Sequence, residues 1–168
     1  MSNFNEIFVK TDICTGCLSC RIACAVEHSA SKNLFAAINE VPKPKSRIYV
    51  EWLPNNTKVP VLCRHCEDAP CVNACISGAI TRSELGAVIN DNDKCIGCWT
   101  CVMVCPYGVI GRDKDLHKAY RCDRCPDLEV PACVTSCPTH ALVYDTVDNF
   151  SKAMRKAVSK ELVSRGGA

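Results

Sequence analysis

The chain has 168 residues, 16 of them cysteine, and a formal net charge of +2 from 20 basic and 18 acidic side chains. At nearly one residue in ten, cysteine reaches the level that marks a cross-linked or metal-filled scaffold, while Leu, Ile, Val and Phe make up only about a quarter of the residues, a thin aliphatic core. Balanced charge and 6% aromatics leave no basic stripe with interleaved rings, which excludes a nucleic-acid reader.

The opening segment, Met1 to Lys10, has no basic region followed by an apolar run and no twin-arginine pair, so no secretory leader is expected. No run of about 18 apolar residues suggests a membrane span. A reducing, cytoplasmic location is therefore expected, where structural disulfides are rare. Zinc and iron–sulfur remain.

The first cysteine group, Cys14, Cys17, Cys20 and Cys24, reads C-x2-C-x2-C-x3-C and follows a strand-like Ile7-Phe-Val-Lys-Thr-Asp12. Next comes an insert. Ala25 to Glu40 reads as a short helix with Leu34, Phe35 and Ile38 inward, and Arg47 to Leu53 reads as a strand ended by Pro54-Asn-Asn56. Its expected role is to cover the metal sites with apolar surface, with a partner-docking surface as the alternative. The second group, Cys63, Cys66, Cys71 and Cys75, has a wider x4 gap with Pro70 ahead of the third cysteine. A strand–turn–strand connector (Ile76–Ile80, Ala87–Ile89, Asp91–Lys94) leads to the third group, Cys95, Cys98, Cys101 and Cys105, which repeats the first spacing and ends in Pro106. The fourth, Cys122, Cys125, Cys133 and Cys137, resembles the second, with Pro131 near its third cysteine and a strand-like tail at Pro138–Tyr144.

Three thiolates within seven residues, followed by a short step to a fourth, is the bacterial ferredoxin run, in which the fourth cysteine ligates the other cluster of the pair. Structural zinc sites take two separated cysteine pairs around one tetrahedral ion and have no natural place for the third close cysteine. The groups alternate in type, an internal repeat, so groups two and three form one ferredoxin module. Group four pairs with group one, across the two ends of the chain. The expected fold is α+β, with one ferredoxin-like module (60–112) inserted in another (1–24 plus 120–147), an insert at 25–59 and an amphipathic C-terminal helix at 148–168. Crosswise ligation then gives four cofactor-binding sets, with every cysteine an iron ligand and no catalytic residue. They are Cys14, Cys17, Cys20 and Cys137; Cys95, Cys98, Cys101 and Cys75; Cys63, Cys66, Cys71 and Cys105; and Cys122, Cys125, Cys133 and Cys24. The rival pairing joins chain neighbours, one with two and three with four.

In this order the groups resemble the four-cluster [4Fe–4S] ferredoxin-like electron-transfer subunits of dimethyl sulfoxide reductase, formate dehydrogenase and hydrogenase complexes, a family in which the first and fourth groups share a module. The intervening words are most similar to the ferredoxin-like subunit of carbon monoxide dehydrogenase: Cys20-Arg-Ile-Ala-Cys24-Ala-Val-Glu-His-Ser29, Cys63-Arg-His-Cys66-Glu-Asp-Ala-Pro-Cys71, and Cys95-Ile-Gly-Cys98-Trp-Thr-Cys101 running on to Cys105-Pro-Tyr-Gly108. The likeness spans roughly residues 5–147. It departs at Ile76, where Pro106 and Pro138 follow the corresponding cysteines. The resemblance implies an electron-transfer subunit, not an enzyme by itself, with a catalytic partner such as carbon monoxide dehydrogenase and a downstream redox protein. A formate dehydrogenase/hydrogenase complex is the alternative, and a zinc-binding scaffold module the reading from a different class. Four oxidised clusters at about −2 each would turn the formal +2 into about −6.

Single residues carry further expectations. Gly16 and Gly97, between the first two cysteines of their groups, suit a backbone that only glycine adopts freely. Trp99 is read as surface packing or an electron exit, His65 as a non-ligand beside two ligands, and His28, His117 and His140 as structural or exposed. From Asn149 to Ser164, apolar Phe150, Met154, Ala157 or Val158, and Leu162 recur at helical spacing beside a basic face of Lys152, Arg155, Lys156, Lys160 and Arg165, with Gly166-Gly167 as its end. Such a helix docks to a partner, assembles with a second copy, packs on its own domain, or lies on a membrane surface.

Overall fold

The structure, a computed structural model, describes residues 4–165. Gly166 and Gly167, expected to end the last helix, lie outside the described residues. In chain order the elements are β1 (Glu6–Val9), α1 (Ser19–Glu27), α2 (Leu34–Ala37), β2 (Tyr49–Leu53), β3 (Thr57–Val61), α3 (Pro70–Asn73), β4 (Ile80–Arg82), β5 (Val88–Asn90), α4 (Thr100–Val104), β6 (Gly111–Asp113), β7 (Lys118–Tyr120), α5 (Ala132–Thr135), β8 (Leu142–Asp145) and α6 (Val147–Arg165). Short helices and short antiparallel strands make an α+β, ferredoxin-like fold.

The strands form four two-stranded antiparallel ribbons, β1–β8, β2–β3, β4–β5 and β6–β7. Ile7 faces Tyr144 and Val9 faces Leu142, so the start of the chain lies against the segment after the fourth cysteine group. The β4–β5 ribbon does the same between groups two and three, with Ile80 facing Asn90 and Arg82 facing Val88. Two apolar cores follow. One gathers Ile7, Ile48 and Leu142 with Cys20, Cys24, Cys122 and Cys133; the other gathers Ile80, Val88 and Ile110 with Cys71, Cys95 and Cys101. Thiols occupy places that aliphatic side chains fill in most domains, which is why so few aliphatic residues suffice.

The insert departs from expectation in three ways. No single helix covers 25–40: α1 ends at Glu27, and Asn33 starts a new one-turn helix, its Oδ1 accepting from the amides of Phe35 and Ala36 at 3.0 and 3.2 Å. Leu34, Phe35 and Ile38 point outward, Phe35 being 79% exposed, and the small Ala37 packs inside. In one turn of helix a single narrow face meets the core, and here the side chain that fits is Ala37. Third, the strand at 49–53 is half of a hairpin. Asn55 and Asn56 turn the chain in the left-handed region, and β3 returns with Pro60 opposite Val50. Pro60 and Lys58 mask that strand in the sequence, although a proline is tolerated where only one neighbour pairs.

The β6–β7 hairpin is likewise invisible to periodicity, its strands being three residues each. Asp113 closes its turn by accepting from the amides of Asp115 and Leu116, both at 3.0 Å.

Helix α6 is anchored at its first turn, where Phe150 stacks on Phe8 of β1 at 4.1 Å between ring centroids, 6° from parallel. Beyond it, Met154, Val158 and Leu162 are exposed. Aromatic pairs contribute about 1 kcal/mol beyond their buried area, so Phe150→Ala is expected to raise the undocked population of the helix about fivefold. Faster trypsin cleavage between Lys152 and Lys160, with the rest of the chain as resistant as before, is the measurement.

Candidate metal centres

Each cysteine group is shaped by repeated local backbone. In the first and third groups, Gly16 and Gly97 have φ of +71° and +68°, and the residue before each helix, Leu18 or Trp99, is left-handed at φ 64°. Two residues after the first cysteine of groups two and four, His65 and Arg124 are also at positive φ. Three residues after the last cysteine of groups two, three and four, Gly78, Gly108 and His140 turn in the same way, each amide donating to the cysteine carbonyl at 3.1 to 3.2 Å. The exception is Cys24, which stays inside α1. These repeated turns fold the loops back on themselves, so that thiols spaced three or four residues apart converge.

A hairpin covers each glycine. A side chain at Gly16 would meet Lys58 and Trp52 of the β2–β3 hairpin, and one at Gly97 would meet the backbone oxygen and ring of His117 in the β6–β7 turn. Trp99 touches the same hairpin, edge-on to His117 at 5.2 Å and under the Arg112 guanidinium at 5.8 Å. Packing therefore accounts for Trp99. The sequence carries no signal for these covers beyond the glycines they press upon.

The sixteen thiols are free, without disulfides, and most are buried or half-buried. Cys14, Cys17, Cys20 and Cys137 line one small cavity, walled by Val50 and Pro60 of the β2–β3 hairpin. Cys75, Cys95, Cys98 and Cys101 line another. The Cys133 thiol stands beside those of Cys122, Cys24 and Cys125, with Cys20 next. Cys63 neighbours Cys71, and Cys66 and Cys105 pack on the core that holds Cys71. Burial and the charge of Cys137, Cys17 and Cys14 push the Cys20 thiol up to about 11, and burial with Cys95, Cys98 and Cys75 does the same to Cys101. Thiols gathered this closely become thiolates when a multivalent cation shares their charge.

Polar contacts at sulfur repeat across the chain. Ser19 and Thr100 hydroxyls lie 3.4 and 3.5 Å from the sulfurs of Cys17 and Cys98, and Ser77 and Thr139 hydroxyls lie 3.7 and 3.8 Å from those of Cys75 and Cys137. Cys24 accepts from the Arg47 amide at 3.2 Å and contacts His28 Nδ1 at 3.7 Å. His28 in turn reaches Asp123 at 3.1 Å, and the Arg47 guanidinium holds the other oxygen of that carboxylate. Burial alone would lower the His28 pKa, but the hydrogen bonds to Asp123 and Cys24 raise it to about 9. On the other side, Arg121 donates to Cys63 Sγ at 2.8 Å and to Cys71 Sγ at 3.0 Å. Cluster spacing alone did not single out Arg121, Arg47 or His28 as sulfur partners.

His65, 5% exposed, accepts from the Val88 amide through Nδ1 at 2.9 Å, leaving Nε2 as a buried donor without a partner among the described residues. Burial and the nearby Arg124 and Arg121 charges depress its pKa to about 3, so the ring is neutral. His117 packs on Trp99. An all-thiol donor set, cationic and amide donors aimed at sulfur and an unspent buried N–H together fit [4Fe–4S] clusters, whose sulfides and thiolates accept such bonds.

Sequence comparison agrees. Residues 55–147 match the 4Fe-4S dicluster domain family. An iron-sulfur protein of Rhodospirillum rubrum is 37% identical over 93% of this chain and 90% of its own length. The electron transport protein HydN of Escherichia coli K12 is 38% identical over 82% and 85%, and the thiosulfate reductase electron transfer subunit PhsB of Salmonella typhi 36% over 92% and 84%. The cofactors of this chain are four [4Fe–4S] clusters. With that cofactor complement, four repeated thiol loops and this match, the chain belongs to the 4Fe–4S dicluster-domain family of ferredoxin-like iron–sulfur electron-transfer proteins.

Proposed function

We propose that this chain is the electron-relay subunit of a larger oxidoreductase, passing single electrons between a catalytic partner and a second redox protein. When bound, each cluster supplies a one-electron donor and acceptor whose potential the protein tunes. Four thiols from each crosswise set, Cys14, Cys17, Cys20 with Cys137, Cys95, Cys98, Cys101 with Cys75, Cys63, Cys66, Cys71 with Cys105, and Cys122, Cys125, Cys133 with Cys24, leave no coordination position for a substrate. The carrying observation is that Cys137 shares a cavity with Cys14, Cys17 and Cys20 although more than a hundred residues separate them. The β1–β8 ribbon and the two separate cores support nested modules, 60–112 within 1–24 plus 120–147, with 25–59 as the cover.

The contacts between sets support a line. Cys20 of the first set neighbours Cys133, Cys122 neighbours Cys63, and Cys71 shares a core with Cys95 and Cys101. Cys17 and Cys98, one in each outer set, are exposed, which suits exchange with partners at both ends. Subunit character is supported by relatives named as an electron transport protein and as a reductase's electron transfer subunit. Carbon monoxide dehydrogenase is the catalytic partner favoured by the words around Cys20–Ser29, Cys63–Cys71 and Cys95–Gly108, with a formate dehydrogenase/hydrogenase complex second. Among the described residues no helix is long and apolar enough to cross a membrane, and the proposed location is the cytoplasm. The exposed apolar row of α6 is the proposed surface for self-assembly or partner docking.

Anaerobic purification is expected to yield a brown protein with about 16 irons and 16 acid-labile sulfides per chain, reducible by carbon monoxide only when carbon monoxide dehydrogenase is added. A colourless chain with about four zincs defeats the relay. Reduction by formate with formate dehydrogenase, and none by carbon monoxide, moves the partner to the alternative.

A further inference from the structure

The four thiol sets differ in what faces their sulfurs. Both outer sets have only neutral hydroxyls beside their sulfurs, Ser19 and Thr139 on one and Thr100 and Ser77 on the other. At the Cys24 set, the charges of His28 and Arg47 converge on one carboxylate, Asp123, and reach sulfur partly cancelled. Among the described residues, the Cys63 and Cys71 pair alone receives two guanidinium N–H groups from a single side chain, Arg121.

Arg121 is 3% exposed and has no carboxylate partner among the described residues, and its Nε is buried without an acceptor there. A guanidinium does not lose its proton, and a buried cation persists only where opposite charge compensates it. The two thiolates are that compensation. Sequence position adds to the effect: Arg121 precedes Cys122, the first ligand of the neighbouring set, so the backbone that anchors one set carries the cation of the next.

We propose that Arg121 raises the reduction potential of the cluster held by Cys63 and Cys71 above those of the other three, making this inner position the resting place of the first electron. Reduction adds one negative charge beside a fixed positive one in a low-dielectric site. The reduced form therefore gains more from Arg121 than the oxidised form does, and shortened N–H···S bonds act in the same direction. The relay then stores an electron in its interior, away from the exposed sulfurs of Cys17 and Cys98, until a second arrives or an acceptor docks.

This rests on the relay reading above, and the two fail differently. The experiment is an EPR-monitored redox titration of the full chain, loaded anaerobically, as wild type, Arg121→Gln, Arg121→Lys and Cys71→Ser. Cys71→Ser marks the signal of this cluster whichever cysteine completes it. The marked signal is expected to be the first to appear on reduction. Arg121→Gln, which keeps an amide donor but no charge, is expected to make its reduction at least tenfold less favourable, about 59 mV for a one-electron couple, while the other three midpoints move much less. Arg121→Lys is expected to keep most of the potential, separating charge from shape. A different first signal, an unmoved midpoint in Arg121→Gln, or equal shifts in all four clusters overturns the role of Arg121. A wild-type chain that binds far fewer than about 16 irons overturns the relay reading instead. If Arg121→Gln fails to load, Arg121→Lys decides alone: a first signal that loses its precedence although the charge is kept overturns the proposal, and one that keeps it sustains the proposal.

Discussion

Cys137→Ser is expected to remove or convert the cluster of Cys14, Cys17 and Cys20 while leaving that of Cys95, Cys98 and Cys101 untouched, at a loss of up to four of about 16 irons. The basis is position: Cys137 lines the cavity of the first triplet, and its negative charge is among the influences that raise the Cys20 thiol. Cys75→Ser is the mirror experiment, since Cys75 lines the cavity of Cys95, Cys98 and Cys101. EPR of the reduced proteins, compared signal by signal, is the check. If Cys137→Ser instead removes the signal that Cys95→Ser removes, the crosswise assignment is wrong and neighbouring groups share clusters.

The second large effect is expected at Gly97. Any L residue there must hold φ at +68°, and its Cβ would lie 2.4 Å from the His117 backbone oxygen, which belongs to a hairpin and cannot rotate away. Gly108 isolates the first cost, because its φ is also positive, at +62°, but no atom lies within 4 Å of an added Cβ. Gly108→Ala is therefore expected to cost about 1–2 kcal/mol, and Gly97→Ala at least about 1 kcal/mol more from overpacking. The loss should concentrate on the cluster of Cys95, Cys98 and Cys101. Denaturant midpoints of the two variants, together with the decay of visible absorbance under chelator, test this. Equal behaviour would mean that the β6–β7 cover yields freely. Gly16→Ala should fall between the two, since the nearest atom to its Cβ is the flexible Lys58 side chain at 2.7 Å.

Much about the metal chemistry is legible in the sequence because cluster ligation is a local affair. The thiols of a triplet such as Cys95, Cys98 and Cys101 converge through turns that need only the right spacing and a permissive residue, and the positive φ of Gly97 and of Gly16 agrees with that reading. The strand after Cys137 was legible as an apolar run, Leu142 to Tyr144, whereas after Cys75 the expected run 76–80 is mostly a turn and β4 begins only at its last residue, Ile80. The helix from Val147 to Arg165 follows from its apolar spacing, with Phe150 as the anchor.

Other features lay beyond a local reading. Leu34, Phe35 and Ile38 read as an inward face, yet a one-turn helix turns that face outward once Asn33 caps it. The strand 57–61 and the hairpin 111–120 carry Pro60, Gly111 and several charges, so nothing in their own pattern marks them as covers for Gly16 and Gly97. Their stability comes from what they press against, and that contact is long-range. Arg121 looks like one more surface cation in a chain with 20 basic residues. Only the folded chain shows it buried against two sulfurs that lie 50 and 58 residues away.

By itself, then, the sequence determined the class of cofactor and the repeat of loop shapes, because these depend on spacing within a single cysteine group, none wider than Cys122 to Cys137. The tertiary structure alone decided which hairpins cover Gly16 and Gly97 and which charge faces the sulfurs of Cys63 and Cys71. Those depend on chain segments far apart in sequence and on the burial of single polar groups such as Arg121, where a low local dielectric strengthens each charge interaction.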